Sequence, residues 1–405
     1  MYIPRERLWF RGAAWVIGLV TATTVLVALA RPLISGQKFC PDFICFWAAG
    51  KLLSAGESPY DAAGQTRVQQ EYGWNKSEDG VGRFDFMPYY YPPWFALLCV
   101  PLLPLGFATA SFAWLLIQFE LLALSGYLLR GSAPGLPRWG TLVLVPVFVF
   151  STLAARLGQA TPLILFLMVA AWQLLERRWD RSAGWMLAGL MTKPQLTLAI
   201  IPAVLFWSIK QRRWGALQGF LTGLVVLGLA SACLVPDWPL QMLQAPSQTP
   251  LVTTERPWMS TTWYSLWRTI GLSGWALWAT YALGAVPVIG LLVYSVRQRA
   301  CPLSDVFGMG ILAAFFLAPY ARYYDLAVLI VPLILLIGRM RPGWATMLLI
   351  ACTALPAIQI VFLGSTGRGD REETLIWPAL LLAALWVFSR YWQPGVLSRP
   401  FLVLD

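Results

Sequence analysis

Residues 93–129 read PWFALLCVPLLPLGFATASFAWLLIQFELLALSGYLL, and the number of times this stretch crosses a bilayer sets the direction of everything after it. One crossing takes about 20 apolar residues, so the run is too long for a single straight helix. Pro93, Pro101 and Pro104 fall in its first third, where proline removes a backbone donor and breaks a helix. The stretch therefore reads as a broken approach that continues into one span. Two spans would invert all later segments.

Positive charge argues against the inversion. Arg5/Arg7/Arg11, Arg130/Arg138, Arg177/Arg178/Arg181, Lys210/Arg212/Arg213, Arg297/Arg299, Arg339/Arg341 and Arg390/Arg399 fall on alternate connections between apolar runs, as cytoplasmic loops do. Spans then lie near 13–34, 93–129, 139–155, 159–176, 183–192, 194–209, 214–236, 275–296, 303–318, 322–338, 343–363 and 374–391. The expectation is an all-α, polytopic membrane protein: one domain over 1–405, about twelve transmembrane helices, both termini inside. Ala28-Leu29-Ala30 resembles a signal-peptide cleavage site, but the length of the first run and Pro32 beyond it favour a retained anchor.

Composition agrees. Of 405 residues, 58% are apolar and 12% charged, against about 25% charged in soluble domains, and the mean hydropathy is +0.63. The net charge of +11 is explained by the loop clusters, so no nucleic-acid partner is expected. The chain has no histidine, which excludes imidazole acid–base chemistry and leaves carboxylates, lysine, tyrosine or thiols for proton transfer. Cys99, Cys233 and Cys352 lie in apolar runs. Cys40 and Cys45 flank a loop-to-helix junction in a connection that faces outward, and a disulfide between them is an open alternative.

The outward connections, 35–92, 156–159, the break at Lys193, 237–262, 319–325 and 364–373, hold the unusual residues. In the first, Phe43 to Ala55 reads as an amphipathic helix lying in the membrane interface, closed by Gly56 and Pro59. Glu71 to Asp85 reads as a polar lid that orders on binding. Asp42, directly before the helix, is either its N-cap or a general base. Lys193, in Leu190-Met191-Thr192-Lys193-Pro194-Gln195, sits where a cation is expensive unless it lines a cavity and meets an anion such as phosphate; the plainer alternative is a Lys that snorkels to the interface. Arg322 and Asp325, in Pro319-Tyr320-Ala321-Arg322-Tyr323-Tyr324-Asp325, either pair to close the turn or leave Arg322 to hold a phosphate. Arg156-Leu157-Gly158-Gln159 is a third tight turn, with Gln159 able to bond a hydroxyl or phosphate. Tyr89 to Trp94 is an aromatic cluster that fits either a membrane belt or a carbohydrate site. Glu120 reads as a helix–helix hydrogen-bond partner, and Asp370-Arg371-Glu372-Glu373 as a solvated loop.

These segments together resemble glycosyltransferase family 87 of the GT-C superfamily, polytopic enzymes that use polyprenyl-phosphate sugars. The matching residues are Asp42-Phe43, Ala48-Ala49-Gly50, Leu53, Gly56, Pro59-Tyr60-Asp61, Tyr91-Pro92-Pro93, Pro101-Leu102, Leu105, Gly158-Gln159, Lys193-Pro194-Gln195, Ala318-Pro319 and Tyr323-Tyr324-Asp325. Where the family often carries a His after the late Pro, this chain has Tyr and Arg. The resemblance implies a GT-C-like bundle and an inverting transfer of a hexose such as mannose to a hydroxyl of a lipid or glycolipid acceptor, on the outer side of the cytoplasmic (inner) membrane. Asp42 would be the base. Lys193, then Arg322 and Arg156, with Gln159, would meet the donor phosphate. Tyr91, Trp94, Gln195, Tyr320, Tyr324 and Asp325 would contact sugar or acceptor. Neither metal nor cofactor is expected beyond the lipid-linked donor. A transporter or flippase for a lipid-linked saccharide is the rival reading; it would need polar residues along the whole path, whereas these gather at one face.

Overall fold

The computed structural model describes residues 40–74, 86–133, 136–137, 139–245, 260–298, 301–368 and 371–391. The expected first span and the centre of the expected lid lie outside them. The regular structure among the described residues is entirely helical.

The decisive stretch folds as a broken approach and one long helix. Pro93–Leu97 forms a short helix, Val100–Leu105 a 3₁₀ segment, and Gly106 turns the chain at φ +69° into Phe107–Leu128. The last is 22 residues, about 33 Å of helix, enough for the hydrocarbon core. Glu120, on this helix, is exposed and not buried at a helix contact.

Four more helices are long and apolar enough to cross: Trp214–Leu234, Gly274–Arg297, Pro342–Ser365 and Glu372–Tyr391. Gly140–Val147 and Val149–Leu157 make a sixth if taken together, bent by 56°. Among the described residues five or six helices are thus long enough by themselves; of the twelve spans read from apolar runs, the first lies outside these residues. The other runs fold as shorter helices, such as Thr161–Glu176, Ile200–Lys210 and Leu303–Leu317, and several of these are interior. Ile330–Arg339 buries Ile330 to Ile337 without interruption, and Leu303–Leu317 buries twelve residues. A helix surrounded by protein needs apolar residues all round whether or not it reaches both interfaces, so hydropathy counts it as a span.

The helix expected in the interface is present at Phe43–Ser54, but ten of its twelve residues are buried. It is a core helix and presents no single apolar face to lipid. Its aromatics account for this: Phe46 meets Phe95 edge-on at 4.8 Å and Phe43 stacks on Trp114 at 5.1 Å. Only Lys51 and Ser54 reach the surface, and Lys51 pairs with Glu71 at 3.0 Å, tying on the helix Ala62–Glu71.

The closest helix contact was not legible from hydropathy. Asp180–Gly189 and Trp214–Leu234 touch backbone to backbone: a Cβ at Gly219 would lie 2.0 Å from the Arg181 carbonyl oxygen, and one at Gly184 would lie 2.3 Å from that of Ala216. Gly215, Gly219 and Gly223 recur every four residues, the small-residue spacing that lets membrane helices approach. Gly219→Val should therefore lower the unfolding temperature in detergent, a loss of about 1–3 kcal/mol from overpacking alone. Gly228→Val on the same helix, where nothing lies within 4 Å, should leave it nearly unchanged; equal shifts would refute the close contact.

Candidate active site

The base candidate is positioned by a glycine. Gly158 ends the helix Val149–Leu157 at φ +79°, and a Cβ there would fall 2.7 Å from Cys40 Cβ and 3.1 Å from Phe43 Cβ. Glycine removes both obstacles, left-handed strain and lost space. The Asp42 N–H consequently donates to Leu157 O at 3.0 Å, and Gln159 stands beside Asp42. The Gln159 amide donates to Asp42 Oδ2 at 2.5 Å, and the Tyr91 hydroxyl donates to Gln159 Oε1 at 3.3 Å. The chain hydroxyl–amide–carboxylate leaves Asp42 Oδ1 without a hydrogen bond among the described residues, and Asp42 remains partly accessible. Asp42 occupies the N-cap position, but its side chain makes no capping bond, so the capping alternative falls away. The disulfide alternative falls too: Cys40 and Cys45 are free, and their thiols donate to Ala155 O and Asp42 O.

Burial pushes the Asp42 carboxyl above the usual carboxylate range. The Gln159 hydrogen bond and the charges of Arg322 and Lys193 oppose this, and Glu372 adds to it. Burial raises the Tyr91 hydroxyl above its ordinary range, with help from nearby Asp325, and it keeps the proton that it donates to the Gln159 carbonyl oxygen.

Lys193 follows the 3₁₀ turn Leu190–Thr192 and precedes Pro194–Thr197, at φ −134° and ψ 71°. Pro194 stops the first segment there, since the residue before a proline avoids helical backbone. The side chain turns inward. Lys193 is 3% exposed, and its Nζ donates to Asp325 Oδ1 at 2.5 Å and to Thr161 Oγ1 at 3.2 Å. Thr161 donates to the same Asp325 oxygen at 2.6 Å, and Lys193 lies 5.0 Å from the Tyr324 ring centroid. Its anion is thus a carboxylate of the chain itself, and snorkelling to the interface is excluded.

The turn 318–325 is held from two sides. Thr261 N–H donates to Ala321 O at 2.7 Å, and Arg322 N–H donates to Asp325 Oδ2 at 3.0 Å. The Arg322 side chain, however, does not close the turn on Asp325. It reaches Glu372, with Nε 2.9 Å from Oε2 and Nη2 2.6 Å from Oε1, and the Tyr323 N–H donates to the same carboxylate at 3.3 Å. Glu372 and Glu373 are buried, not solvated as read from sequence. Glu372 is the site residue that sequence reasoning missed; the signal was an acidic pair directly before an apolar helix.

Of the remaining candidates, Tyr320 is partly accessible and hydrogen-bonded to Arg322. Tyr324 is buried. Arg156 is partly buried, and its charge is felt at Tyr323. Trp94 is partly accessible, donating through Nε1 to Thr192 Oγ1 at 3.0 Å and meeting Trp238 edge-on. Gln195 is partly buried next to Lys193. Asp42, Gln159, Tyr91, Lys193, Asp325, Arg322 and Glu372 thus form one cluster. Among the described residues no three Cys, Asp or Glu side chains gather as a metal site.

The sequence model of glycosyltransferase family 87 matches residues 89–319, more than half of the chain. The chain belongs to glycosyltransferase family 87. No curated protein matches it. Family 87 membership makes it a glycosyltransferase, and its long apolar helices place it in a membrane. The matched stretch carries Tyr91, Trp94, Arg156, Gln159, Lys193 and Gln195. Asp42 precedes it, and Tyr320, Arg322, Tyr324, Asp325 and Glu372 follow, so the cluster is completed from both flanks.

Removing one member of a buried pair strands the other's charge, at a cost of about 3–5 kcal/mol. Lys193→Met should therefore destabilise the family 87 protein strongly in thermal unfolding, and adding Asp325→Leu should restore a large part of the loss. A double variant no more stable than the single one would show that the pair carries no such strain.

Proposed function

We propose that the protein is an inverting glycosyltransferase that moves a hexose, with mannose the family-based choice, from a polyprenyl-phosphate donor to a hydroxyl of a lipid or glycolipid acceptor. The reaction runs at the outer side of the cytoplasmic membrane. The observation that carries this reading is Asp42: a partly accessible residue with one oxygen held by Gln159 and the other without a hydrogen bond among the described residues, in the field of Arg322 and Lys193.

The acceptor oxygen attacks the anomeric carbon as the bond from that carbon to the phosphate oxygen breaks. The acceptor proton passes to Asp42 Oδ1, and the polyprenyl phosphate leaves as an anion. Cations help such a step most when they meet charge that develops in the transition state. Lys193 is sealed and its charge is matched by Asp325, so we assign the leaving phosphate to Arg322, 21% exposed, and Arg156. Lys193 then positions the Asp325 turn, and Gln159 positions the base. The partly accessible Tyr91, Trp94, Gln195 and Tyr320 are the proposed contacts for sugar and acceptor, with buried Tyr324 and Asp325 behind them. No cofactor is needed beyond the lipid-linked donor. Family membership and the gathering of polar groups in one cluster both weigh against the transporter reading.

In membranes supplied with a polyprenyl-phosphate sugar, Asp42→Asn should lower transfer by about 10²–10⁴-fold, and wild-type turnover in that variant would remove the base assignment. Arg322→Gln should cost about 10²-fold. The pH dependence has a definite sign. A base must be ionised, so the rate rises with pH through the Asp42 pKa, and burial puts that rise above the pH of an ordinary aspartate, about 3.9. The Gln159 bond favours the ionised form, so Gln159→Leu should move the acid limb to higher pH; a limb left in place or moved down would count against it.

A further inference from the structure

The helix Leu303–Leu317 runs away from the turn 318–325, and Ile330–Arg339 leaves the same turn and ends at Arg339. At their far end, about 20 Å from the candidate active site by helix rise, lies a second charged cluster. Buried Asp305 pairs with both Arg339 and Arg390. Arg390 Nη2 also donates to Gln298 Oε1 at 3.2 Å, while its Nε is buried with no hydrogen-bond partner. Arg339 also lies 4.5 Å from the Trp386 ring centroid. Two guanidinium groups face one carboxylate, which leaves a surplus of one positive charge. Nearby Lys210, whose Nζ donates to the Val296, Arg297 and Gln298 carbonyls at a helix C-terminus, adds to the positive charge of this end.

A shallow, open apolar groove lies beside this cluster, between Gly274–Arg297, Leu303–Leu317 and Trp377–Tyr391, with Leu292, Met309, Leu312, Phe316, Ala383 and Trp386 among its walls. Each helix carries groove and polar end on one face. Asp305, Met309, Leu312 and Phe316 follow three- and four-residue steps, as do Ala383, Trp386 and Arg390. On the first helix Leu292 leads to Ser295, which bonds to Tyr391. The arrangement is an apolar trough with a cationic end.

We propose that this is a binding site for an anionic phospholipid, its acyl chain in the groove and its phosphodiester at Arg339 and Arg390. The surplus positive charge among the described residues matches an anionic phosphodiester. The site is separate from the candidate active site.

The test is native mass spectrometry of the full-length protein exchanged between phosphatidylglycerol and phosphatidylcholine, with helical content checked by circular dichroism. Wild type should retain phosphatidylglycerol with about tenfold preference, because both lipids carry the phosphodiester but the choline of phosphatidylcholine brings a further positive charge beside the two arginines. Arg390→Gln should abolish the preference. Gln298→Glu, which lowers the surplus while keeping both arginines, should do the same, and Leu312→Trp should lower retention of both lipids. Equal retention by wild type, a preference that survives Gln298→Glu, or stronger retention of polyprenyl phosphate than of phosphatidylglycerol would overturn the assignment.

Discussion

The ion pair between Lys193 and Asp325 is the constraint on which the site depends. Two opposite charges almost wholly removed from solvent must be matched within hydrogen-bond distance, because either alone carries a desolvation cost of several kcal/mol. Thr161 satisfies both members. Three segments distant in sequence are thereby fixed to one another: the start of Thr161–Glu176, the proline break after Lys193, and the turn into Tyr323–Leu329. Thr161 lies two residues after Gln159, so the same knot sets how the 156–159 turn presents the Gln159 amide to Asp42. Gly158 supplies the rest by letting that turn approach Cys40 and Phe43.

Much of this could be read along the chain, and the failures have physical causes. The broken approach in 93–129 was legible because prolines mark their own backbone consequences. Asp42, Gln159, Lys193, Arg322 and Asp325 stood out because a polar residue among apolar ones must find a partner. The partners themselves were not legible. Lys193 looked like a phosphate ligand because nothing in sequence says that Asp325 reaches it, and both readings of Arg322, a pair with Asp325 or a phosphate ligand, missed a carboxylate far along the chain. The true partner, Glu372, sat in a run whose neighbours Asp370 and Arg371 made it look solvated. Similarly, Phe43–Ser54 looked interfacial because apolar residues on one flank imply a second, wet flank. In this fold the second flank is packed by Cys45, Ala48 and Ala49, small enough to be buried without a strong apolar signature.

The pairing pattern also bears on how the site could handle a phosphate. Both central cations carry a carboxylate, Lys193 with Asp325 and Arg322 with Glu372, so the resting cluster avoids unmatched buried positive charge. The two pairs are not equivalent. Lys193 is enclosed on all sides, and withdrawing its charge from Asp325 would expose both to the full desolvation cost. Arg322 keeps an accessible edge, and its carboxylate holds it through Nε and Nη2 without covering the whole group. A guanidinium offers five donors in a fixed plane, so Arg322 can keep Glu372 on one edge while presenting another to an oxyanion. A lysine offers no such division. Charge that is fixed before the substrate arrives needs no reorganisation during the reaction, and this is where electrostatic catalysis gains most. The Glu372 clamp is what lets Arg322 remain in a largely buried setting.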